Sequence, residues 1–178
     1  QNSYAHKKGA ISMRYSGLIK NDITAAPGLC VSFFTQGCPH HCPGCHNPET
    51  HDFNGGYELT DEVLQQLMQL CGADHIKGLS ILGGEPLHPK NIEGTTQIAK
   101  MFKEKFPNKS LWLWTGFLYE NIKEREIFNY IDVLVDGLFD KKLANPMLQY
   151  RGSSNQRLID VAKTLQSNEI ILWNKEKK

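Results

Sequence analysis

The 178-residue chain has no apolar run approaching the roughly 20 residues that cross a bilayer as a helix, which excludes a helical membrane span. It has no excess of either charge: 20 Lys and Arg stand against 19 Asp and Glu, for a formal net charge of +1. Bulk electrostatics therefore give no reason to expect nucleic acid or a membrane surface as a partner. Internal repeats and low-complexity linkers are absent, and the length is that of one domain. Cysteine is scarce: there are five, at 30, 38, 42, 45 and 71. An odd count with three crowded together is poor arithmetic for a disulfide framework. Reduced thiols serving a metal suit the cytoplasm better than a secreted setting. Hydrophobic residues make up 40% and charged residues 22%, enough of each for a globular domain with a sizeable core. Residues 1–12 carry no periodicity and precede Met13. They are set aside as an expression remnant or disordered N-terminus, leaving 13–178 as the domain. The tail from Lys175 to Lys178 reads as a solvated end.

What is present is concentrated in two stretches. Cys38, Cys42 and Cys45 are separated by three and then two residues, in a loop stiffened by Pro39 and Pro43. Such a loop has three readings. Zinc needs four protein ligands, and His40, His41, His46 or His51 stands near enough in sequence to be the fourth. A 4Fe-4S cluster is usually held by four thiolates, and three would leave one iron open to a small molecule. A disulfide with a spare thiol is the third. Further on, Gly83-Gly84-Glu85-Pro86 follows the apolar run Leu79 to Leu82. Two residues without Cβ let a backbone approach a ligand and permit positive φ. An ordinary turn with Glu85 in solvent is the plainer alternative.

Patterning places both stretches at strand ends. Leu29 to Phe34, Gly78 to Leu82, Ser110 to Trp114 and Ile131 to Val135 read as strands. Arg157 to Val161 and Ile170 to Trp173 are shorter candidates. Thr60 reads as the cap of a helix that ends at Gly72. Further helices are expected over Ile92 to Phe106, Tyr119 to Tyr130 and Ala162 to Gln166. Strands alternating with helices predict an α/β fold with a parallel sheet, and there are too few units for a closed eight-stranded barrel. An open, partial (β/α) barrel follows. Ligands of such sheets sit beyond the carboxyl ends of the strands. The cysteine loop, Gly83-Gly84-Glu85 and Thr115-Gly116 all fall there, as does Asp136. Cys30 and Cys71 read as small buried hydrophobes, and Trp112 and Trp114 as core or wall.

The cysteine spacing followed by Gly-Gly-Glu-Pro resembles the radical S-adenosylmethionine (radical SAM) superfamily. More closely, the chain is similar to the activating proteins of anaerobic ribonucleoside-triphosphate reductase, from about Met13 to Asp160. The likeness lies in Ala26-Pro27-Gly28, Cys42 to Asn47, Gly83 to Pro89, Trp112 to Phe117, Asp132 to Gly137 and Arg151 to Gln156. It implies one 4Fe-4S cluster on Cys38, Cys42 and Cys45, with SAM on the open iron. It also implies SAM contacts from Gly44, Cys45, His46, Gly83, Gly84, Glu85, Thr115 and Asp136. The implied reaction is reductive cleavage of SAM to a 5′-deoxyadenosyl radical, which takes hydrogen from a glycine Cα of the large reductase subunit. A one-electron donor such as flavodoxin or ferredoxin is implied too. Two positions depart from relatives: Trp114 stands where formate-lyase activators carry an acid, and Leu138 where many carry a lysine. A lysine role near SAM would then fall to Lys141 or Lys142. The competing readings are an activator of another glycyl-radical enzyme, a small radical SAM enzyme for a purine-like metabolite, and a zinc-stabilised adaptor without catalysis.

Overall fold

The computed structural model describes residues 12–175; residues 1–11 of the segment set aside, and the last three of the tail, lie outside them. Seven strands form one sheet in the order β3-β1-β2-β4-β5-β6-β7. They are β1 (Arg14–Asp22), β2 (Cys30–Thr35), β3 (Tyr57–Glu58), β4 (Gly78–Gly83), β5 (Ser110–Trp114), β6 (Val133–Asp136) and β7 (Arg157–Asp160). The expected parallel pairing holds for the four central strands, β2, β4, β5 and β6. The flanks depart from it: β1 runs antiparallel to β2 and to β3, and β7 antiparallel to β6. The sheet does not close.

The helices follow from spacing and caps. In α1 (Asp61–Cys71) the Thr60 hydroxyl accepts from the Val63 N–H, and Leu64, Leu67, Met68 and Cys71 share one buried stripe. In α2 (Ile92–Lys105) Thr95, Ile98, Ala99 and Phe102 do the same, and Pro107 follows the end. The helix expected over Tyr119 to Tyr130 is broken. A single turn, α3 (Tyr119–Ile122), is followed by a separate 3-10 turn at Glu126–Asn129. The buried residues there are Tyr119, Ile122, Ile127 and Phe128, a spacing that no continuous helix can turn to one face. The last helix is α4 (Val161–Ser167), capped by the Asp160 carboxylate. The strand expected at Ile170 to Trp173 is a single bridge between Leu172 and Ile159.

Alternation along the central strands divides two apolar clusters. Val31, Phe33, Leu79, Ile81, Leu111, Leu113 and Leu134 join the side chains of α1 and α2. Burying each such side chain contributes about 1.5–3 kcal/mol. Cys30, Trp112, Val133 and Val135 face the other way. There Trp112 meets Tyr150 and Trp173 edge-on, with centroids 5.2 and 4.9 Å apart, so the C-terminal third covers that face. Burial pushes the Cys30 thiol up to about 11 and the Cys71 thiol up to about 12, as suits inert core groups.

Candidate active site

Beyond the carboxyl ends of the parallel strands lies a cavity of about 360 Å³. Cys38, Cys42, Cys45, Gly83, Gly84 and Thr115 all line it, so the sheet brings together the three turns that patterning put at strand ends.

The cysteine loop leaves β2 through Gln36 and Gly37. The Gly37 N–H donates to the Thr50 carbonyl at 2.8 Å, and the Cys38 N–H to the His51 carbonyl at 3.1 Å. The Cys45 N–H donates to the Cys42 carbonyl at 3.0 Å, which closes the loop's last turn. Burial pushes the Cys38 and Cys42 thiols up. Backbone N–H groups of His40 and His41 at Cys38, and of Phe139 at Cys42, pull the other way by stabilising thiolate. The Asn47 N–H donates to Cys45 Sγ at 3.4 Å.

Glu85 ties this loop to two strand ends. It is fully buried. Its Oε1 accepts from the Leu87 N–H at 3.0 Å and the Thr115 hydroxyl at 2.7 Å. Its Oε2 accepts from the Gly116 N–H at 2.8 Å and meets His40 Nε2 at 2.7 Å. All four acceptor positions of the carboxylate are thus filled by the protein, and the side chain acts as a tie between loop and strands. The glycines have a reason beyond ligand approach. A Cβ on Gly83, whose φ is 104°, would lie 2.6 Å from the Thr35 nitrogen, and one on Gly84 2.4 Å from the Gly37 oxygen. The end of β2 at Gly83, and the start of the cysteine loop at Gly84, forbid side chains there.

Two expected contacts sit elsewhere. Asp136 is buried behind the cavity wall, where its carboxylate accepts from the Tyr119 N–H at 2.8 Å and pairs with Arg157. Its neighbour Gly137 reaches the cavity instead. Gly44, at φ 75°, is exposed and packs under the Lys141 side chain, which a Cβ there would meet at 3.2 Å. His46 is exposed at the cavity edge, with its ring 5.0 Å from that of Phe139. Phe139, Tyr150 and Gln156 also line the cavity, although sequence spacing singles out only the polar run holding Gln156. They arrive from the segment after β6, which has no periodicity to announce it.

The chain resembles known proteins over most of its length. The family model for a 4Fe-4S single cluster domain matches residues 25–159. An anaerobic ribonucleoside-triphosphate reductase-activating protein of Enterobacteria phage T4 is 38% identical over 146 residues, covering 82% of this chain and 93% of the relative. Proteins of the same description from Vibrio cholerae and Escherichia coli are each 36% identical over 148 residues, covering 81% of this chain and 96% of theirs. The chain belongs to the family of anaerobic ribonucleoside-triphosphate reductase-activating proteins.

A 4Fe-4S cluster domain is therefore present, and the residues of this activating-protein fold suit such a group. Among the described residues no three His, Cys, Asp or Glu side chains converge as they would on a single metal ion. All three thiols nevertheless line the one cavity, and the Asn47 N–H donates to Cys45 Sγ. A cluster of iron and sulfide offers many acceptors to such a donor. Among the described residues no helix is long and apolar enough to cross a membrane.

Proposed function

We propose that this chain activates the anaerobic ribonucleotide reductase as a radical SAM enzyme. Residues 13–178 would form one domain, with the open sheet serving as a partial (β/α) barrel, in the cytoplasm. Cys38, Cys42 and Cys45 would hold three irons of the cluster and leave the fourth for SAM. The bound groups supply one reaction: an electron breaks a carbon–sulfur bond of SAM, giving methionine and a 5′-deoxyadenosyl radical that takes hydrogen from a glycine Cα near the C-terminus of the large reductase subunit.

The chain's own residues bind, orient and exclude water. Backbone polar groups of Gly83 and Gly84 receive the methionine ammonium, while Glu85 keeps their strand end against the cysteine loop. His46 and the backbone of Cys45 border the adenine, and Gly44 turns the loop beneath Lys141. Thr115 and Gly137 close the remaining strand ends, with Asp136 fixing the latter from behind. The run from Arg151 to Gln156 closes over SAM or meets the partner's glycine segment. A flavodoxin- or ferredoxin-type protein supplies the electron.

The meeting of three loop thiols with a Gly-Gly strand end in one cavity carries this reading. Anaerobic purification, reconstitution with iron and sulfide, and reduction with SAM test it. The expected outcome is a brown protein that releases methionine and 5′-deoxyadenosine and loses both colour and cleavage in Cys42→Ala. A colourless protein holding about one zinc and indifferent to SAM would sink it.

A further inference from the structure

Among the described residues two buried side-chain polar atoms lack a hydrogen-bond partner, Ser80 Oγ and His51 Nε2. Ser80 lies in the middle of β4, whereas His51 lines the cavity with the three thiols. A ring nitrogen shut away from water without a partner is destabilising, so such an atom calls for an acceptor that arrives later. The imidazole is also held where it is. The His51 carbonyl accepts from the Cys38 N–H at 3.1 Å, and its own N–H donates to the Pro48 carbonyl at 3.2 Å. Its ring stands edge-on to His41, with centroids 4.6 Å apart.

We infer that His51 Nε2 donates a hydrogen bond to a sulfur of the cluster, an inference that rests on the function proposed above. Sulfide and cysteinate sulfurs accept and do not donate, so a neutral imidazole with its proton on Nε2 complements them. The bond is stronger when the cluster carries the extra electron, because more negative charge sits on sulfur. It therefore favours reduction, the step that SAM cleavage requires. His51 is a positioning and tuning residue under this assignment and not a fourth ligand.

The test is a redox titration of the reconstituted protein followed by electron paramagnetic resonance, without SAM, in wild type, His51→Phe and His51→Gln. Phenylalanine keeps the ring's shape without a donor, and glutamine restores an N–H. The expected result is equal iron content in all three. In His51→Phe the reduced-to-oxidised ratio at a fixed potential falls about fivefold, or about 40 mV at about 59 mV per tenfold. In His51→Gln part of that shift is recovered. Equal potentials in all three proteins would overturn the inference while leaving the proposed function intact. Loss of the cluster from both variants would overturn it too, by making His51 a ligand. A wild type that assembles no 4Fe-4S cluster would overturn both, and that outcome is visible before any variant is made.

Discussion

On one side of the cavity the cysteine loop and the ends of β4 and β5 are joined by buried bonds; on the other, the segment from Gly137 to Gln156 stands largely in solvent. Glu85 and Asn91 brace the first side. The Asn91 amide donates to the carbonyls of Gln36, Gly37 and Glu85 at 3.1, 3.4 and 2.9 Å. The second side has every residue from Lys141 to Met147 exposed, Met147 at 85%. It is held chiefly by Gln156, which accepts from the Gly152 and Ser153 N–H groups and donates to the Gly137 carbonyl at 3.1 Å. Buried, fully paired polar networks rigidify, whereas exposed backbone bonds open at low cost. Under the proposed function this division is useful. Thiols must keep one geometry, while SAM and a protein segment must pass over the opposite rim.

Glu85→Ala should break the contrast most severely. It strands the Thr115 hydroxyl and the Leu87 and Gly116 N–H groups, and the expected loss is about 3–5 kcal/mol in urea unfolding. A loss under about 1 kcal/mol would mean that the first side is not the rigid one. Gln156→Ala should cost about 1–2 kcal/mol. Hydrogen exchange should then quicken from 137 to 156 and stay slow at Gln36, Gly37 and Cys38, whose N–H groups are bonded to the Arg14, Thr50 and His51 carbonyls; quickening in both would erase the distinction between the walls. The smallest effect concerns the outer anchor of the exposed side, where Arg157 Nη1 donates to Glu120 at 2.9 Å. The hydrogen bond from Arg157 holds the Glu120 carboxyl down at about 2, from an ordinary 4.5. Its stabilisation is therefore complete above about pH 4.5 and fades as the pH falls towards about 2. Because Glu120 is 53% exposed, solvent screening keeps the contribution below about 1 kcal/mol. The stability difference between wild type and Glu120→Gln should shrink across that pH window and with added salt. A difference that grows on acidification would contradict the pairing.

The sequence made the braced side far more legible than the exposed one. Thiol spacing, the Gly-Gly pair and the four central strands follow from local pattern, because buried parallel strands are apolar runs that end at glycines or turns. The cap at Thr60 and the stripe of α1 follow in the same way. β1 was not legible: most of it is half-buried or exposed, and Tyr15 to Lys20 shows no clean alternation. Strand direction at the sheet's flanks was hidden as well, since no local pattern encodes whether a neighbour runs parallel. Glu85 stood out as a motif residue, yet its four partners come from three separate parts of the chain. Phe139 and Tyr150 reach the cavity through loops that tertiary contacts place, and Asp136 turns away because Arg157 claims it.

The Glu85 tie also bears on the order of events during maturation. Fixing a backbone residue costs about 1–2 kcal/mol of conformational entropy. The links from His40 to Glu85, and from Asn91 to Gln36 and Gly37, form from protein groups alone. Part of the cost of shaping the segment from Cys38 to Cys45 is thus met when the chain folds, before iron arrives. A metallocentre delivered to such a loop would find its thiols already gathered and would spend less of its binding free energy on arranging them.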